Sequence, residues 1–396
     1  MQSSVAEFPV PSGAVPAAER AAVLPWFIFV VVLAAACIPI GALWDISWHS
    51  TIGRDSFWTP AHIMIYLGGA LPGMCCGWVV MKTSFWGTEA DRAASVRYLG
   101  FQGPLGAWVT IWGSLTMLIS APFDNWWHDA YGLDVEILSP PHTLLALGMY
   151  AVAVGAMLLA LSWQNRADER SGRSAARLFL FAIGVLLVMA SIILTEKSYP
   201  NAQRTGSFYQ MCAIPYALYL ALAARAARGR WGATIAAGAY MLIVAGMVWI
   251  LPLFKAQPLL APIYLQVDRM VPPVFPHLLI FPALAMDLIH QRFGRETGSG
   301  RNWILALALG TAFFLVFLGV QWPFAKFLLS DGAKNWFFAG GQQWPFFIQP
   351  GPWHDRFWER NGDWLRWQSA GLALLFAMLS ARAGLAVGGW MRKVQR

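Results

Sequence analysis

Long apolar stretches recur along almost the whole chain, and short polar segments separate them. A transmembrane helix needs about 20 predominantly apolar residues. Ten stretches meet this requirement and predict ten helices, with approximate bounds 24–44, 60–81, 104–122, 140–163, 176–195, 206–227, 232–254, 273–291, 303–321 and 369–390. The pattern predicts an all-α integral membrane protein of about ten transmembrane helices arranged as repeated helical hairpins.

Composition supports a membrane protein with one polytopic domain. Hydrophobic residues make up 58% of the 396-residue chain, charged residues only 12%, and the mean hydropathy is +0.51. Soluble domains carry about 25% charged residues. We expect a single membrane domain over residues 24–396. Residues 1–23 lack a basic segment and a cleavage site, and therefore predict a disordered tail rather than a signal peptide.

The distribution of positive charge predicts the orientation. One set of polar segments, which includes both termini, holds 18 of the 28 Lys and Arg residues, and the opposite set holds 10. The positive-inside rule then places both termini in the cytoplasm of a multi-pass inner (plasma) membrane protein. This topology accounts for the formal net charge of +8 without a nucleic-acid partner, so the expected surroundings are the lipid bilayer.

The segments 24–81 and 104–163 form an internal repeat that keeps polar residues. Both copies read Asp-x3-His-x3-Gly-x-Asp, followed by Pro-x-His, with an offset of 79 residues that becomes 80 after a one-residue insertion. The first copy consists of Asp45, His49, Gly53, Asp55, Pro60 and His62, and the second of Asp124, His128, Gly132, Asp134, Pro140 and His142. Because carboxylates and imidazoles are costly near a bilayer, their repetition indicates a site.

The spacing predicts that each hairpin brings one carboxylate and two imidazoles together. Side chains four residues apart share a helix face, with Cβ atoms about 5–6 Å apart, and the next helix returns its histidine to the same depth. The predicted metal ligands are Asp45, His49 and His62 in the first copy, and Asp124, His128 and His142 in the second. Four further residues are candidates for orienting a ligand through a hydrogen bond: Asp55, Asp134, Asp129 and His277.

Nitrogen and oxygen ligands without Cys or Met suit Cu(II), Zn(II) or Fe(II), and two His with one carboxylate also describe the facial triad of non-haem iron. The positive-inside rule places these motifs on the extracytoplasmic side of the membrane. Copper is favoured by the affinity order and by the oxidising conditions of that side, while iron and zinc stay open. Haem would leave the carboxylates idle. The competing interpretation is that these residues are loop caps at the membrane interface, with Trp48, Trp126 and Trp127 as anchors. The duplication favours the metal.

The segment Asp45-x3-His49-x12-His62 resembles the copper-binding motif of the C subunit of particulate methane and ammonia monooxygenases. The resemblance implies that these three residues bind copper. It covers the 18 residues from Asp45 to His62. The second copy departs by one residue, as Asp124-x3-His128-x13-His142, and a duplicated motif is not the pattern of that family.

These observations predict a copper-dependent or non-haem iron oxidoreductase, such as a monooxygenase, that acts on a small or lipophilic substrate. An aromatic loop, residues 322–368, is expected to cover the outer face and exclude water. The alternatives are a metal transport or delivery protein, and a non-catalytic metal-binding subunit or assembly factor of a membrane complex. Other membrane subunits or further copies of the chain are candidate partners, and the electron donor is not specified. No Walker or Gly-x-Ser-x-Gly motif occurs, which argues against nucleotide-driven transport and serine hydrolysis.

Overall fold

The computed structural model describes residues 23–53, 56–132, 139–259, 268–294, 299–339 and 364–396. Within these ranges the regular structure consists of α-helices, a few 3₁₀ turns and one two-stranded hairpin. The helices are α1 (Trp26–Thr51), α2 (Pro60–Trp86), α3 (Glu89–Ala93), α4 (Leu105–Tyr131), α5 (Pro140–Arg166), α6 (Glu169–Ile193), α7 (Gly206–Ala226), α8 (Gly232–Ile250), α9 (Ile280–Phe293), α10 (Ser299–Leu328) and α11 (Trp367–Met391). Strands β1 (Val96–Tyr98) and β2 (Phe101–Gly103) pair antiparallel between α3 and α4.

Nine helices of the described ranges are long and apolar enough to cross a membrane: all except α3 and α9. The chain is therefore an α-helical, multi-pass membrane protein. The largest fully buried side chains include the tyrosines and phenylalanines of α6, α7, α8 and α10, for example Tyr209, Tyr216 and Phe179. The core therefore lies among these helices.

The predicted span 273–291 is not a continuous helix. Residues 271–278 are non-helical, and only Ile280–Phe293 forms a helix, which at about 1.5 Å per residue is too short to cross a bilayer. The cause is the prolines: Pro272, Pro273 and Pro276 lack an N–H donor, and each proline disfavours helical backbone in the residue before it. Pro-rich apolar sequence thus forms an extended segment followed by a half-length helix.

The backbone N–H groups of this extended segment have no helical partners, and several of them donate hydrogen bonds to buried side chains instead. The N–H of Val271 donates to Oγ1 of Thr51, that of His277 to the hydroxyl of Tyr240, and that of Leu278 to Oε1 of Gln321. Irregular backbone within a membrane protein is tolerated only where the protein buries and satisfies it. The extended segment is therefore a stable part of the bundle core.

Other differences concern the ends of elements. The first and third predicted spans end at residues 44 and 122, whereas α1 continues to Thr51 and α4 to Tyr131. Residues 322–328 of the expected cap loop belong to α10. Residues 340–363 of that loop and residues 1–22 of the expected tail lie outside the described residues.

Glycines set the close approach of the two helices in each polar hairpin. A Cβ atom added to Gly68 on α2 would lie 2.8 Å from the backbone nitrogen of Ile38 on α1. A Cβ atom added to Gly148 on α5 would lie 2.8 Å from the carbonyl oxygen of Gly113 on α4. Because real Cβ contacts are longer, these positions need glycine, and they fix the spacing between the helices that carry the candidate ligands.

Candidate metal centres

Glycine and proline of the repeat determine where each polar hairpin turns. Gly53 and Gly132 follow the ends of α1 and α4 with φ of +85° and +87°, a conformation that glycine adopts without the cost of a Cβ clash. Pro60 and Pro140 are the first residues of α2 and α5, where a missing N–H does not matter. The repeated His62 and His142 therefore both occupy the third position of their helix.

The first hairpin places Asp45 between two imidazoles. Because α1 continues to Thr51, Asp45 and His49 lie one turn apart, with Nε2 of His49 3.8 Å from Oδ2 of Asp45. Nε2 of His62, at the start of α2, lies 3.3 Å from the other carboxylate oxygen, Oδ1. The expected convergence of one carboxylate and two imidazoles is therefore present; we call this group the first cluster.

The second hairpin repeats the arrangement atom for atom, and we call its group the second cluster. Nε2 of His128 lies 3.4 Å from Oδ2 of Asp124, one turn earlier on α4. Nε2 of His142, at the start of α5, lies 3.6 Å from Oδ1 of Asp124. In both clusters the helical histidine approaches Oδ2 and the histidine of the following helix approaches Oδ1. In the described ion pairs each carboxylate contacts only the histidines of its own hairpin.

Hydrogen bonds at Nδ1 orient three of the four cluster imidazoles, so that Nε2 of each ring faces the carboxylate. Nδ1 of His62 donates to the carbonyl oxygen of Ser56 at 2.9 Å, and Nδ1 of His128 to that of Gly132 at 3.2 Å. A carbonyl oxygen can only accept, so Nδ1 carries the hydrogen and Nε2 is the atom presented to the carboxylate. Nδ1 of His142 contacts Oγ of Ser139 at 3.0 Å. Such an acceptor behind the ring is the usual support of a metal-binding histidine.

These supporting groups were not predicted from the sequence. The carbonyl groups of Ser56 and Gly132 carry no side-chain signal at all. Ser139 could have been found, because a serine three residues before a histidine and next to a proline is typical of a helix N-cap, and its hydroxyl does accept from the backbone N–H of His142 at 3.5 Å.

One carboxylate oxygen in each cluster is buried without a hydrogen bond. Oδ1 of Asp45 and Oδ1 of Asp124 are both inaccessible to solvent and accept no hydrogen bond from the described residues. A buried, unpaired carboxylate oxygen is costly. A cation between the carboxylate and the two Nε2 atoms would compensate this cost.

The element types and the separations of the donor atoms suit a metal ion, but the donor atoms do not point toward one common position. Bonds of about 2.1 Å in a tetrahedral site place two ligand atoms about 3.4 Å apart, close to the separations of 3.3–3.8 Å in the clusters. The two imidazoles approach different oxygens, however, and no group of three or more His, Cys, Asp or Glu in the described chain could hold a metal ion as it stands. Binding would require the side chains to rotate toward one point.

The first cluster is tied to the bundle core and the second is not. On the other face of α1, the hydroxyl of Ser47 donates to the carbonyl of Val271, and Oγ1 of Thr51 accepts from the Val271 N–H. In the second copy the corresponding positions are Trp126 and Ala130, which cannot make these hydrogen bonds. Trp126 is 54% exposed. The end of α4 is therefore held mainly by its packing on α5.

Of the four remaining candidate residues, the structure describes Asp129 and His277, and no described contact joins either of them to a cluster histidine. Asp129 accepts a hydrogen bond from Nδ2 of Asn125 at 3.3 Å. His277 is buried in the core, where Nδ1 lies 2.9 Å from the hydroxyl of Tyr216. Asp55 and Asp134 lie outside the described residues.

The chain matches no family model, no curated protein and no solved structure.

Proposed function

We propose that the protein is an integral membrane metalloprotein with one Asp/His metal site in each hairpin. The ligands are Asp45, His49 and His62 in the first cluster, and Asp124, His128 and His142 in the second. The observation that carries this proposal is the repeated geometry: a carboxylate between two Nε2 atoms occurs twice, each time with a buried Oδ1 that makes no hydrogen bond with the described residues. Both copies of the repeat keep the residue types and the atoms that meet, which supports one shared role for the two clusters.

Copper is the proposed metal, with iron or zinc as the alternatives. Two imidazoles and one carboxylate suit all three ions, copper leads by affinity, and the same set is the facial triad of non-haem iron. Three protein ligands leave coordination positions vacant. The cluster side chains are 22–49% exposed, so water, dioxygen or substrate has access to those positions.

The function that fits best is a copper-dependent, or non-haem iron, oxidoreductase of the monooxygenase type. The bound metal would supply oxygen activation: one oxygen atom of dioxygen would enter a C–H bond of the substrate, and two electrons from an external donor with two protons from solvent would reduce the other to water. The chain's own residues hold the metal and, through Ser56, Gly132 and Ser139, orient the imidazoles. Exposed aromatic side chains lie beside the second cluster on α4, among them Trp126 and Tyr131, where a small or lipophilic substrate dissolved in the membrane would arrive.

The charge distribution supports the proposed orientation, with the clusters on the extracytoplasmic side of an inner membrane and both termini in the cytoplasm. The helix ends remote from the clusters carry Arg166, Arg225, Arg228 and Arg392. Cytoplasmic segments are enriched in such residues.

Transport of the metal receives less support from the buried polar groups. Among the described residues, the buried side chains that can carry charge are Arg225, His277 and Asp287. Asp287 accepts from the N–H groups of Ala233 and Thr234 at the start of α8, so it caps a helix. None of the three continues from a cluster into the bundle, which favours a fixed site over a pathway.

Elemental analysis of the detergent-purified protein, with an electron spin resonance spectrum of the same sample, tests the proposal. We expect up to two metal ions per chain and, for copper, a nitrogen-rich Cu(II) signal. His62→Ala and His142→Ala should each remove about one equivalent, whereas His290→Ala, at the other end of the bundle, should remove none. Full metal content in both cluster variants would contradict the ligand assignment, and stoichiometric zinc would favour a structural role.

A further inference from the structure

A cavity of about 440 Å³ lies at the end of the bundle remote from the clusters. The helices α5, α7, α9 and α11 all end beside it, and α5 begins at the second cluster, so the whole length of that helix separates the two sites. The polar side chains that line the cavity are two amides, three guanidinium groups and one imidazole: Gln164, Asn165, Arg225, Arg228, Arg392 and His290.

The lining has an excess of positive charge. No Asp or Glu of the described residues lines the cavity. Four helix carboxyl ends carry about half a negative charge each, roughly −2 together, against three full positive charges on the arginines. Some of the guanidinium charge is used to cap helices: Arg225 donates to the carbonyl of Gly294 at 2.8 Å, and Arg228 donates to the carbonyls of Asn165 and Ala167. A net positive charge of about one remains.

Two buried nitrogen atoms at this cavity have no hydrogen-bond partner among the described residues. Arg225 is only 6% exposed, and its Nε is inaccessible to solvent and makes no hydrogen bond with the described residues. Nε2 of His290 is likewise inaccessible to solvent and makes no hydrogen bond with the described residues. A buried cationic donor without an acceptor is costly. The structure therefore points to an anionic group that brings several acceptor oxygens into the cavity.

We propose that this cavity binds a phosphate group, carried either by an anionic phospholipid or by free phosphate. Guanidinium groups match phosphate oxygens in pairs, and the cavity volume lies in the usual range of about 300–1,000 Å³ for ligand pockets. Basic pockets between transmembrane helices on the cytoplasmic side are the expected receptors of anionic headgroups. Two exposed apolar side chains near the ends of α9 and α11, Phe293 and Trp390, would border the acyl chains of a lipid.

The test is a calorimetric titration of the full chain, delipidated in neutral detergent, with three probes. They are dioctanoyl phosphatidylglycerol, dioctanoyl phosphatidylcholine and inorganic phosphate. We expect one equivalent of phosphatidylglycerol or inorganic phosphate to bind, and phosphatidylcholine not to compete. Arg392→Gln should weaken binding about tenfold, the effect of one charge-assisted hydrogen bond. Arg392 makes no described side-chain contact, so the variant should keep its unfolding temperature and its metal content.

Arg173→Gln is the matched control, because Arg173 is exposed at the same end of the bundle and pairs only with Glu169 in the described ion pairs. Binding of phosphatidylglycerol alone would identify a lipid site, and binding of inorganic phosphate with the same response to Arg392→Gln would identify a free-anion site. No binding of either probe, or equal weakening by both arginine variants, would overturn the proposal.

Discussion

Replacing Asp124 by asparagine tests the metal proposal with the smallest change of shape. The carboxylate contacts both imidazoles of the second cluster, His142 through Oδ1 and His128 through Oδ2. Asparagine keeps the size of the side chain but removes its negative charge and turns one oxygen into an N–H donor. We expect Asp124→Asn to remove about one metal equivalent and to leave the first cluster loaded.

The expected free energies distinguish a variant that loses metal from a variant that unfolds. Asp124 is 33% exposed and its partners are 26% and 37% exposed, so without metal these pairs contribute about 0–1 kcal/mol to folding. Losing a ligand should weaken binding by at least about 100-fold, or roughly 2.7 kcal/mol. At a metal concentration of 100 times Kd, the wild-type site gains about 2.7 kcal/mol in stability, and a site weakened 100-fold gains only about 0.4 kcal/mol.

The assay combines metal content with thermal unfolding in detergent, with and without added copper. Asp129→Asn is the matched control: it makes the same substitution on the residue next to His128, but its carboxylate is bonded to Asn125 instead of a histidine. We expect the two variants to unfold at nearly the same temperature without metal, and only Asp124→Asn to lose part of the copper-dependent increase. Full metal content in Asp124→Asn, or an equal loss in Asp129→Asn, would refute the reasoning.

Three further outcomes follow from the two clusters. His49→Ala should reduce affinity less than His62→Ala, because the His49 ring is 49% exposed and 3.8 Å from the carboxylate, against 22% and 3.3 Å; equal losses in metal titrations would contradict this order. Ser139→Ala should weaken the second cluster about 10–100-fold by removing the group behind the His142 ring, with no change at the first cluster. Gly148→Ala should force α4 and α5 apart at a cost of about 1–3 kcal/mol. We expect a lower unfolding temperature and a lower metal content in the second cluster alone.

Much of the candidate site could be predicted because helix geometry is regular. An Asp and a His four residues apart must share a face once the helix reaches them, and a short hairpin must return the next histidine to the same depth. The uncertain point was the end of α1, predicted at residue 44 and found at Thr51. Polar residues lower the local hydropathy there without breaking the helix.

Two features could not be predicted from the sequence: the acceptors behind the histidine rings and the helix break before α9. The first depends on backbone carbonyl groups, and the second on which side chains the fold places beside the break. The acceptors behind His62 and His128 are carbonyl groups, which every residue has. The break before α9 was missed because a hydropathy count scores Pro273 and Pro276 within an apolar stretch, whereas their missing N–H groups prevent a helix. Only the fold shows that Thr51, Tyr240 and Gln321 compensate for it.

The distances between the imidazoles and the carboxylates can be compared with those expected for a proton and for a metal ion. A protonated imidazole that donates directly to a carboxylate should approach to about 2.7–2.9 Å. The four separations are 3.3–3.8 Å, and Oδ1 of both aspartates remains without a hydrogen bond. A proton would draw the atoms closer, whereas a metal ion with bonds of about 2.1 Å keeps its ligand atoms about 3.4 Å apart. The separations, repeated in two hairpins that differ in sequence and in their anchoring to the core, match the ligand spacing of a tetrahedral site, which is the support that they give to the proposed metal.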